Sequence, residues 1–479
     1  MKKRLKSISV CLLTACLTMN MTAFANAATA TVFQGDTPNS GDVEAFEREL
    51  KANNYTVTYK GFRGNYTSSS SPATGSNLNS ASRSGNDVIY WSSHGSGTPS
   101  LNVINGPSFN TLNYFNPTQS SPLKIAIFGA CYQLDGNTNR QSFASKMRNS
   151  NVRVIAGYHE QAPSSQDVTC INKYFEAVKD GNSVRYSWEA ANAYVGKSGS
   201  WITLNYQDTK NEYYRMPGYK NERNSTYPTP TSSTPIYRYW GLSNSAAPVN
   251  ALANEPYDEI PVKLLETSHS QKVRSDKVSD LMPDSICQSA DGTQRITFRE
   301  PENHELNNPD LADNTARELL ENQFALNDVT EHAIAEESFV MCAEIKPDGT
   351  DGEEELIAKR LIYTNNLYGI PIEGNMISVG VDENGVYDII DTWKDVKPDS
   401  ASTYGRSQAL EYTDAVTAAE EYFSAKEANP GPITESRLIY AQNDANDYEL
   451  SYALKYTNGA EIYVSLLDLD VTLVRNADI

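Results

Sequence analysis

Two side chains that together could act as a nucleophile and its base follow two apolar segments of this 479-residue chain. Residues 87–91 are followed by Ser92-Ser93-His94-Gly95, and residues 124–128 by Gly129-Ala130-Cys131. A thiolate is a strong nucleophile, and a nearby imidazole removes the thiol proton or stabilises the thiolate as an ion pair. A lone buried cysteine is usually an inert small apolar residue. The joint pattern, however, predicts thiol chemistry with His94 as general base and Cys131 as nucleophile.

The elements that must position these residues alternate between strand and helix patterns from about residue 30 to 200. Near-continuous apolar strands separated by helices indicate a mostly parallel sheet with helices on both faces. Chemistry in such a sheet gathers at the carboxyl ends of the strands, so His94 and Cys131 should share one rim. The predicted strands are 31–33, 55–59, 87–91, 124–128 and 152–156; the predicted helices are 42–53, 140–149, 166–179 and 184–195; residues 64–86 are predicted to be a loop.

Small residues beside both candidate groups have a chemical reason to be there. Gly95 allows backbone N–H groups to approach a substrate carbonyl closely. The N–H groups of Gly95 and Cys131 could therefore form an oxyanion hole, in which each donor is usually worth about 3 kcal/mol.

This combination of motifs resembles the caspase-like cysteine peptidases, which include caspases, legumains, gingipains and clostripain. These families place His-Gly after the third core strand and a small residue followed by Cys after the fourth, as in His94-Gly95 and Ala130-Cys131. The resemblance covers about residues 30–245. It implies an open six-stranded sheet and a Cys–His dyad that hydrolyses protein or peptide substrates through a thioester. It also implies that no metal or organic cofactor takes part.

Other functions are compatible with the same pattern. A caspase-like scaffold could bind peptides or a partner protein without catalysis, and a related thiol site could act as a cell-wall transpeptidase or amidase. His159, which ends a predicted strand at the same rim, is an alternative general base. The histidines at 269, 304 and 332 lack metal-site spacing and are interpreted as surface residues.

Substrate preference has a candidate determinant in Asp36, just after the first strand. An acid there would favour Arg or Lys before the cleaved bond, by resemblance to several of these families. The alternative is that Asp36 caps the helix beginning near Asp42 or sits in a turn. Glu160 and Asp167, after the fifth strand, are weaker candidates for the same pocket.

The N-terminus is typical of an export signal. Residues 1–27 contain a basic start, a short apolar run and small residues where cleavage would occur. Residues 13–16 also resemble a lipoprotein processing box, which would anchor the chain through Cys16. No later stretch reaches the length of a transmembrane helix. We therefore expect a secreted protein, with lipid anchoring through Cys16 as the alternative.

The cysteine count suggests one disulfide. Cys11 and Cys16 leave with the signal, and a nucleophilic Cys131 leaves Cys170, Cys287 and Cys342. Exported proteins favour paired cysteines. We expect a Cys287–Cys342 bond and a buried thiol at Cys170.

Charge divides the chain into two parts. Residues 251–479 carry a net charge of about −28, whereas the total is −20, so the preceding part is weakly basic. Such asymmetry favours separate domains. The acidity serves solubility alone or, as the alternative, lets the acidic part dock on the basic one. No basic stripe points to nucleic acid. We expect a caspase-like catalytic domain at 28–245, a linker at 246–300 and a smaller acidic α+β region at 301–479.

The acidic region shows signs of duplication. Arg360-Leu361-Ile362-Tyr363 recurs at residues 437–440, which predicts two repeats at about 301–398 and 405–479. Residues 369–387, with an Asn384-Gly385 turn, resemble PepSY and thermolysin-propeptide modules. That resemblance implies an inhibitory or chaperone-like role toward a peptidase, although such modules normally precede their enzyme. A spacer or wall-binding module is the alternative.

Overall fold

The structure is a computed structural model, and its described residues cover most of the chain beyond the predicted export signal. Residues 1–27, including Cys16, lie outside them. None of the helices in the described ranges has both the length and the apolar character needed to cross a bilayer. The described ranges are 28–36, 41–62, 72–163, 166–206, 214–220, 231–244 and 259–475, the last without 269–271, 274–277, 279–280, 290–291, 303, 400–402, 406–411, 427–428, 443–446, 458–459 and 468–470.

The first half of the chain builds the sheet that carries the candidate site. Its strands are β1 (Thr29–Gln34), β2 (Thr56–Lys60), β3 (Val88–Ser92), β4 (Gly95–Ser96), β5 (Ser100–Leu101), β6 (Phe109–Asn110), β7 (Ile125–Gly129), β8 (Val154–Tyr158), β9 (Trp201–Tyr206) and β10 (Ile236–Asn244). The main sheet has the order β2-β1-β3-β7-β8-β9-β10. Pairings from β2 to β8 are parallel, and β9 and β10 pair antiparallel. The predicted mixed α/β fold with parallel strands is confirmed at this level.

Helices cover both faces of this sheet. They are α1 (Asp42–Ala52), α2 (Gly75–Arg83), α3 (Thr111–Tyr114), α4 (Asn137–Arg148), α5 (Asp167–Lys179) and α6 (Val184–Tyr194). On one face Phe46 of α1 and Trp188 of α6 pack with Tyr90 and Ile127. On the other face α4 packs against the side chains that alternate with these, such as Phe128. Burial of both faces explains why the strands are nearly continuous in apolar residues.

Helix α2 lies inside the stretch that the sequence predicts to be a loop. Its residues are mostly Ser and Asn, which are poor helix formers. Two tertiary features compensate: Leu78 and Ala81 are buried against the core, and the Thr74 side chain accepts a hydrogen bond from the N–H of Asn77 at the N-cap. Capping of this kind is worth about 1 kcal/mol.

A small antiparallel sheet follows directly after β3. Strands β4, β5 and β6 pair in that order, with Gly95 opposite Leu101 and Ser100 opposite Asn110. This three-strand sheet, called the flap below, begins one residue after His94.

The second half of the chain extends the same sheet. Its strands are β11 (Glu259–Pro261), β12 (Lys263–Ser268), β13 (Ser285–Gln288), β14 (Gln294–Thr297), β15 (Ile334–Ile345), β16 (Glu355–Leu367), β17 (Ile370–Asp382), β18 (Gly385–Asp391), β19 (Asp395–Pro398), β20 (Thr403–Gly405), β21 (Ile433–Gln442), β22 (Tyr448–Tyr456), β23 (Glu461–Ser465) and β24 (Val471–Arg475). β10 pairs antiparallel with β15 from Ile236↔Ile345 to Asn244↔Glu337. The sheet then continues antiparallel through β16, β17, β18, β14 and β13.

Helices accompany the second half as well. They are α7 (Pro309–Glu318), followed by a π-helical turn at Leu319–Gln323, then α8 (Asn327–His332) and α9 (Tyr412–Ala425). Strands β21–β24 form a further antiparallel meander that joins β17 at Ile372↔Tyr440.

The predicted linker at 246–300 is wrong in its second part, because β11 to β14 lie within it. Ile296 of β14 is fully buried, and β14 hydrogen-bonds to β18 as an inner strand of the sheet. Three of the four residues of β14 are polar, which made an inner strand of the sheet resemble a linker. Residues 246–258 lie outside the described residues.

The two halves share a buried cluster of charged side chains. Arg360 of β16 contacts Asp388 Oδ1 at 2.9 Å and Glu189 Oε1 of α6 at 3.4 Å, and Arg185 contacts Glu189 Oε2 at 3.2 Å. All four side chains are at most 1% exposed. Two arginines and two carboxylates compensate each other, as burial of charge requires.

The predicted duplication of the second half rests on a repeated four-residue motif. Residues 360–363 lie on β16 and residues 437–440 on β21, which are the second and the first strand after their respective helices. The short repeat therefore does not align the two meanders, and duplication stays a prediction.

The predicted Cys287–Cys342 disulfide is wrong, because both residues are thiols. The Cys287 thiol donates to Asp180 Oδ1 at 3.0 Å, whereas Cys342 is buried on β15.

Candidate active site

Strands β3 and β7 bring His94 and Cys131 to the same rim. The parallel register pairs Ser92 with Gly129, and the N–H of Ser93 donates to the carbonyl of Gly129 at 3.4 Å. His94 and Cys131 each lie two residues beyond that pair. Neighbouring strands are about 4.8 Å apart, and side chains alternate between faces with a period of two. His94 and Cys131 follow these strands directly, since β3 ends at Ser92 and β7 at Gly129.

His94 is held through its backbone. Its N–H donates to Oδ1 of Asp36 at 2.8 Å, and its carbonyl accepts the N–H of Asn102 at 3.2 Å. The side chain is half-buried, so it is reachable from solvent. Asp36 thus fixes the end of β3. It does not cap α1, where Gly41 occupies the N-cap without a side-chain hydrogen bond.

Cys131 is also half-buried, in contrast to the buried Cys170. The N–H of Ala162, in the connection from β8 to α5, donates to its Sγ at 3.4 Å. A donor aimed at sulfur interacts more strongly with a thiolate than with a thiol, because the thiolate is charged. The sulfur therefore has a donor suited to its nucleophilic form.

The chain turns sharply after Cys131. Tyr132 has a φ of 56°, in the left-handed region that few residues other than glycine occupy. Its N–H donates to the carbonyl of Glu160 at 2.9 Å, and the N–H of Leu134 donates to the carbonyl of Tyr158 at 3.1 Å. The end of β8 thereby holds this turn in place. Strained backbone of this kind persists only where surrounding contacts determine it.

Gly95 and Cys131, the predicted oxyanion-hole residues, lie against each other. A Cβ added to Gly95 would come within 2.4 Å of the carbonyl oxygen of Cys131 and 2.7 Å of Nε2 of Gln133. Only glycine permits this approach of the flap to the Cys131 turn. The glycine after His94 therefore has a packing reason in addition to the predicted catalytic one.

Gln133 is a residue of this site that the sequence analysis did not identify. It is fully buried, and its Nε2 donates to the carbonyl of Ser100 at 2.6 Å and to that of Cys131 at 3.4 Å. Its Oε1 accepts the hydroxyl of Thr111 at 2.7 Å. One sequence signal could have identified it. Gln133 follows the candidate nucleophile by two residues and stands between Tyr132 and Leu134.

His159, the alternative base, contacts a different strand. Its ring Nε2 lies 3.1 Å from the carbonyl oxygen of Gly241 on β10, and its backbone N–H donates to the carbonyl of Ser200. Burial lowers the pKa of the imidazole, partly offset by the Glu160 carboxylate. One ring nitrogen is therefore already engaged with protein backbone.

The two weaker pocket candidates differ in exposure. Glu160 is exposed, and its backbone supports Tyr132. Asp167 begins α5, where burial and the nearby Asp42 raise the pKa of its carboxyl well above the usual range. A carboxyl that favours its neutral form is poorly suited to attract a cationic side chain.

Cys170 and Cys287 lie in surroundings that disfavour the reactive thiolate form. Burial raises the pKa of the Cys170 thiol strongly, and burial together with Asp180 raises the pKa of Cys287 to about 11. In the part of the chain that the structure describes, no three His, Cys, Asp or Glu side chains converge as a metal site would require.

Comparisons with known proteins do not place the chain in a family. No protein-family model matches it, and a search of curated proteins finds no significant match. The geometry of the rim formed by β3 and β7 is accordingly the observation from which a function is inferred.

Proposed function

We propose that this protein is a secreted cysteine endopeptidase in which Cys131 is the nucleophile and His94 the general base. The observation that supports the proposal is the parallel register of β3 and β7, whose last pair, Ser92 with Gly129, lies two residues before His94 on one strand and two before Cys131 on the other. Both are half-buried, as a site open to substrate requires. A site at the carboxyl ends of parallel strands is where this class of sheet binds ligands.

In the proposed reaction His94 takes the proton of Cys131, and the thiolate attacks the carbonyl carbon of the scissile peptide. The N–H groups of Gly95 and Cys131 stabilise the oxyanion of the tetrahedral intermediate. The imidazolium of His94 protonates the leaving amine as the C–N bond breaks, which leaves a thioester on Cys131. Water, deprotonated by His94, then hydrolyses the thioester and restores the thiol.

His94 is preferred to His159 as base for a structural reason. His94 lies at the strand end adjacent to that of Cys131 and is anchored through its backbone by Asp36. His159 has its Nε2 engaged with the carbonyl of Gly241, and its lowered pKa weakens it as a proton acceptor.

The proposal includes a caspase-like fold for the first half and PepSY-like modules for the second. Parallel pairing from β2 to β8 followed by an antiparallel strand supports the first part. A helix followed by a four-strand antiparallel meander, at α7 with β15–β18 and at α9 with β21–β24, supports the second.

Selective alkylation tests the proposed nucleophile. We expect iodoacetamide near neutral pH to modify Cys131 at least about ten times faster than Cys170 or Cys287, because their raised pKa values keep those thiols protonated. Peptide mapping by mass spectrometry measures the rates. Modification should also abolish hydrolysis of a peptide panel.

Variants provide the matched comparison. Cys131→Ala and His94→Ala should each lower hydrolysis by at least about a thousandfold, as loss of a nucleophile or its base does in related mechanisms. Cys170→Ala, in the buried thiol, should retain activity. Equal and slow alkylation of Cys131 and Cys170, or full activity of Cys131→Ala, would contradict the proposal; aminolysis products with added amines would indicate transpeptidation.

A further inference from the structure

Gln133 connects the two segments that carry the proposed catalytic residues. Its side chain is fully buried and makes hydrogen bonds to Ser100, Thr111 and Cys131. Burial of an amide is costly unless its donors and acceptor are satisfied, so a buried glutamine with this set of partners has a defined orientation.

The partners of Gln133 belong to two different parts of the site. Ser100 lies on β5 of the flap, and Thr111 begins α3 directly after β6, the last strand of the flap. Cys131 is the proposed nucleophile, and its carbonyl is the other acceptor. The same Nε2 is the second-nearest atom to the position that a side chain on Gly95 would occupy. One amide thus holds the flap against the turn that bears the thiol.

We infer that Gln133 is a positioning residue that sets the separation of His94 and Cys131 by fixing the flap to the nucleophile turn. This inference rests on the proposed peptidase function and deepens it, since it states what holds the dyad together. Gln133 touches no reacting atom in this role. A displacement of about 1 Å in such a site can cost about a hundredfold in rate, because the reacting groups must meet at close range.

The test compares Gln133→Met with Gln294→Met. Both glutamines are buried, and methionine has a similar length without the amide; Gln294 lies on β14 in the second half. For Gln133→Met we expect kcat to fall about 10- to 100-fold with KM changed less than about threefold, and alkylation of Cys131 to slow by a similar factor. Gln294→Met should leave kcat and the alkylation rate within about twofold. Circular dichroism and melting curves report folding of both variants.

A second variant, Gln133→Glu, tests the same role if Gln133→Met does not fold. In Gln133→Glu, an ionised carboxylate would face the two carbonyl oxygens, whereas its protonated form donates a hydrogen bond in place of the amide. Its alkylation rate relative to the wild type should therefore recover as the pH is lowered. A purely structural defect would leave that ratio independent of pH.

The outcomes separate this inference from the proposed function. If the wild type hydrolyses peptides and Gln133→Met matches Gln294→Met in kcat and in Cys131 alkylation, the positioning role is wrong. If the wild type is inactive and its Cys131 reacts no faster than Cys170, the peptidase proposal is wrong and the inference fails with it.

Discussion

Asp36 shows how one side chain at the rim can serve both structure and specificity. One of its carboxylate oxygens accepts the N–H of His94, so the residue expected to select the substrate also holds the proposed base. A carboxylate acting on a backbone N–H forms a strong, charge-assisted hydrogen bond. Removing the side chain and removing only its charge should therefore have different effects.

Asp36→Asn separates these effects, because the amide oxygen can still accept the His94 N–H while the charge is lost. We expect kcat/KM for peptides with Arg or Lys before the cleaved bond to fall at least about tenfold, with less than about threefold change for neutral peptides. Asp36→Ala removes both the charge and the acceptor, so activity on neutral peptides should fall as well, with a larger fall for Arg or Lys peptides. The measurement is a kinetic profile over a peptide panel; a uniform loss in Asp36→Asn would leave Asp36 as a structural residue only.

At the scale of elements, the site is the meeting point of β3, β7 and the flap. The parallel register pairs Ser92 with Gly129, so His94 and Cys131 are equally far beyond the last strand pair. The missing side chain of Gly95 lets the flap pack on the Cys131 turn. The carbonyl it approaches is backbone and has little freedom to move. A single methyl group at position 95 should therefore displace one element from the other.

Gly95→Ala tests this packing. The added Cβ would lie 2.4 Å from the Cys131 oxygen, and we expect a loss of about 1–3 kcal/mol in the free energy of unfolding and a fall of at least about a hundredfold in kcat. Gly97→Ala is the control, because its Cβ would meet nothing closer than Asp135 Oδ2 at 3.9 Å. Denaturant titration and peptide kinetics measure the two effects. Equal behaviour of both variants would show that the approach at Gly95 is unimportant.

At the scale of the whole molecule, the two halves form one continuous structure. β10 and β15 pair along their length, and Tyr239 of the first half shares a core with Val340 and Ile357 of the second. The buried cluster around Arg360 adds charge contacts between α6 and β16. The second half is thus built into the same sheet as the first.

Arg360→Met should destabilise the whole chain. Removing one buried arginine leaves Glu189 and Asp388 insufficiently compensated, which typically costs about 3–5 kcal/mol. Arg437→Met is the control, since Arg437 is partly exposed and lies 3.9 Å from Glu461, a contact worth at most about 1 kcal/mol. Chemical unfolding should show one transition, shifted strongly only for Arg360→Met. Two separate transitions would show that the halves are independent.

The sequence predicted five strands of the first half, β1, β2, β3, β7 and β8, and its larger helices, because apolar runs are local signals. It missed what depends on distant contacts: the partners of Gln133 lie at Ser100 and Thr111, and no local pattern reveals that β10 pairs with β15. The charge asymmetry of the chain also failed to predict which charges meet between the two halves. At the buried contact the arginine, Arg360, belongs to the acidic half and the carboxylate, Glu189, to the basic one.

The nine residue pairs between β10 and β15 bear on the lifetime of the protein among other proteases. A nick between β10 and β11 would cut the covalent connection but leave the ladder and the shared core intact. The resulting fragments should migrate together in native gels and separate only under denaturing conditions. Cleavage there would leave the two halves folded and associated.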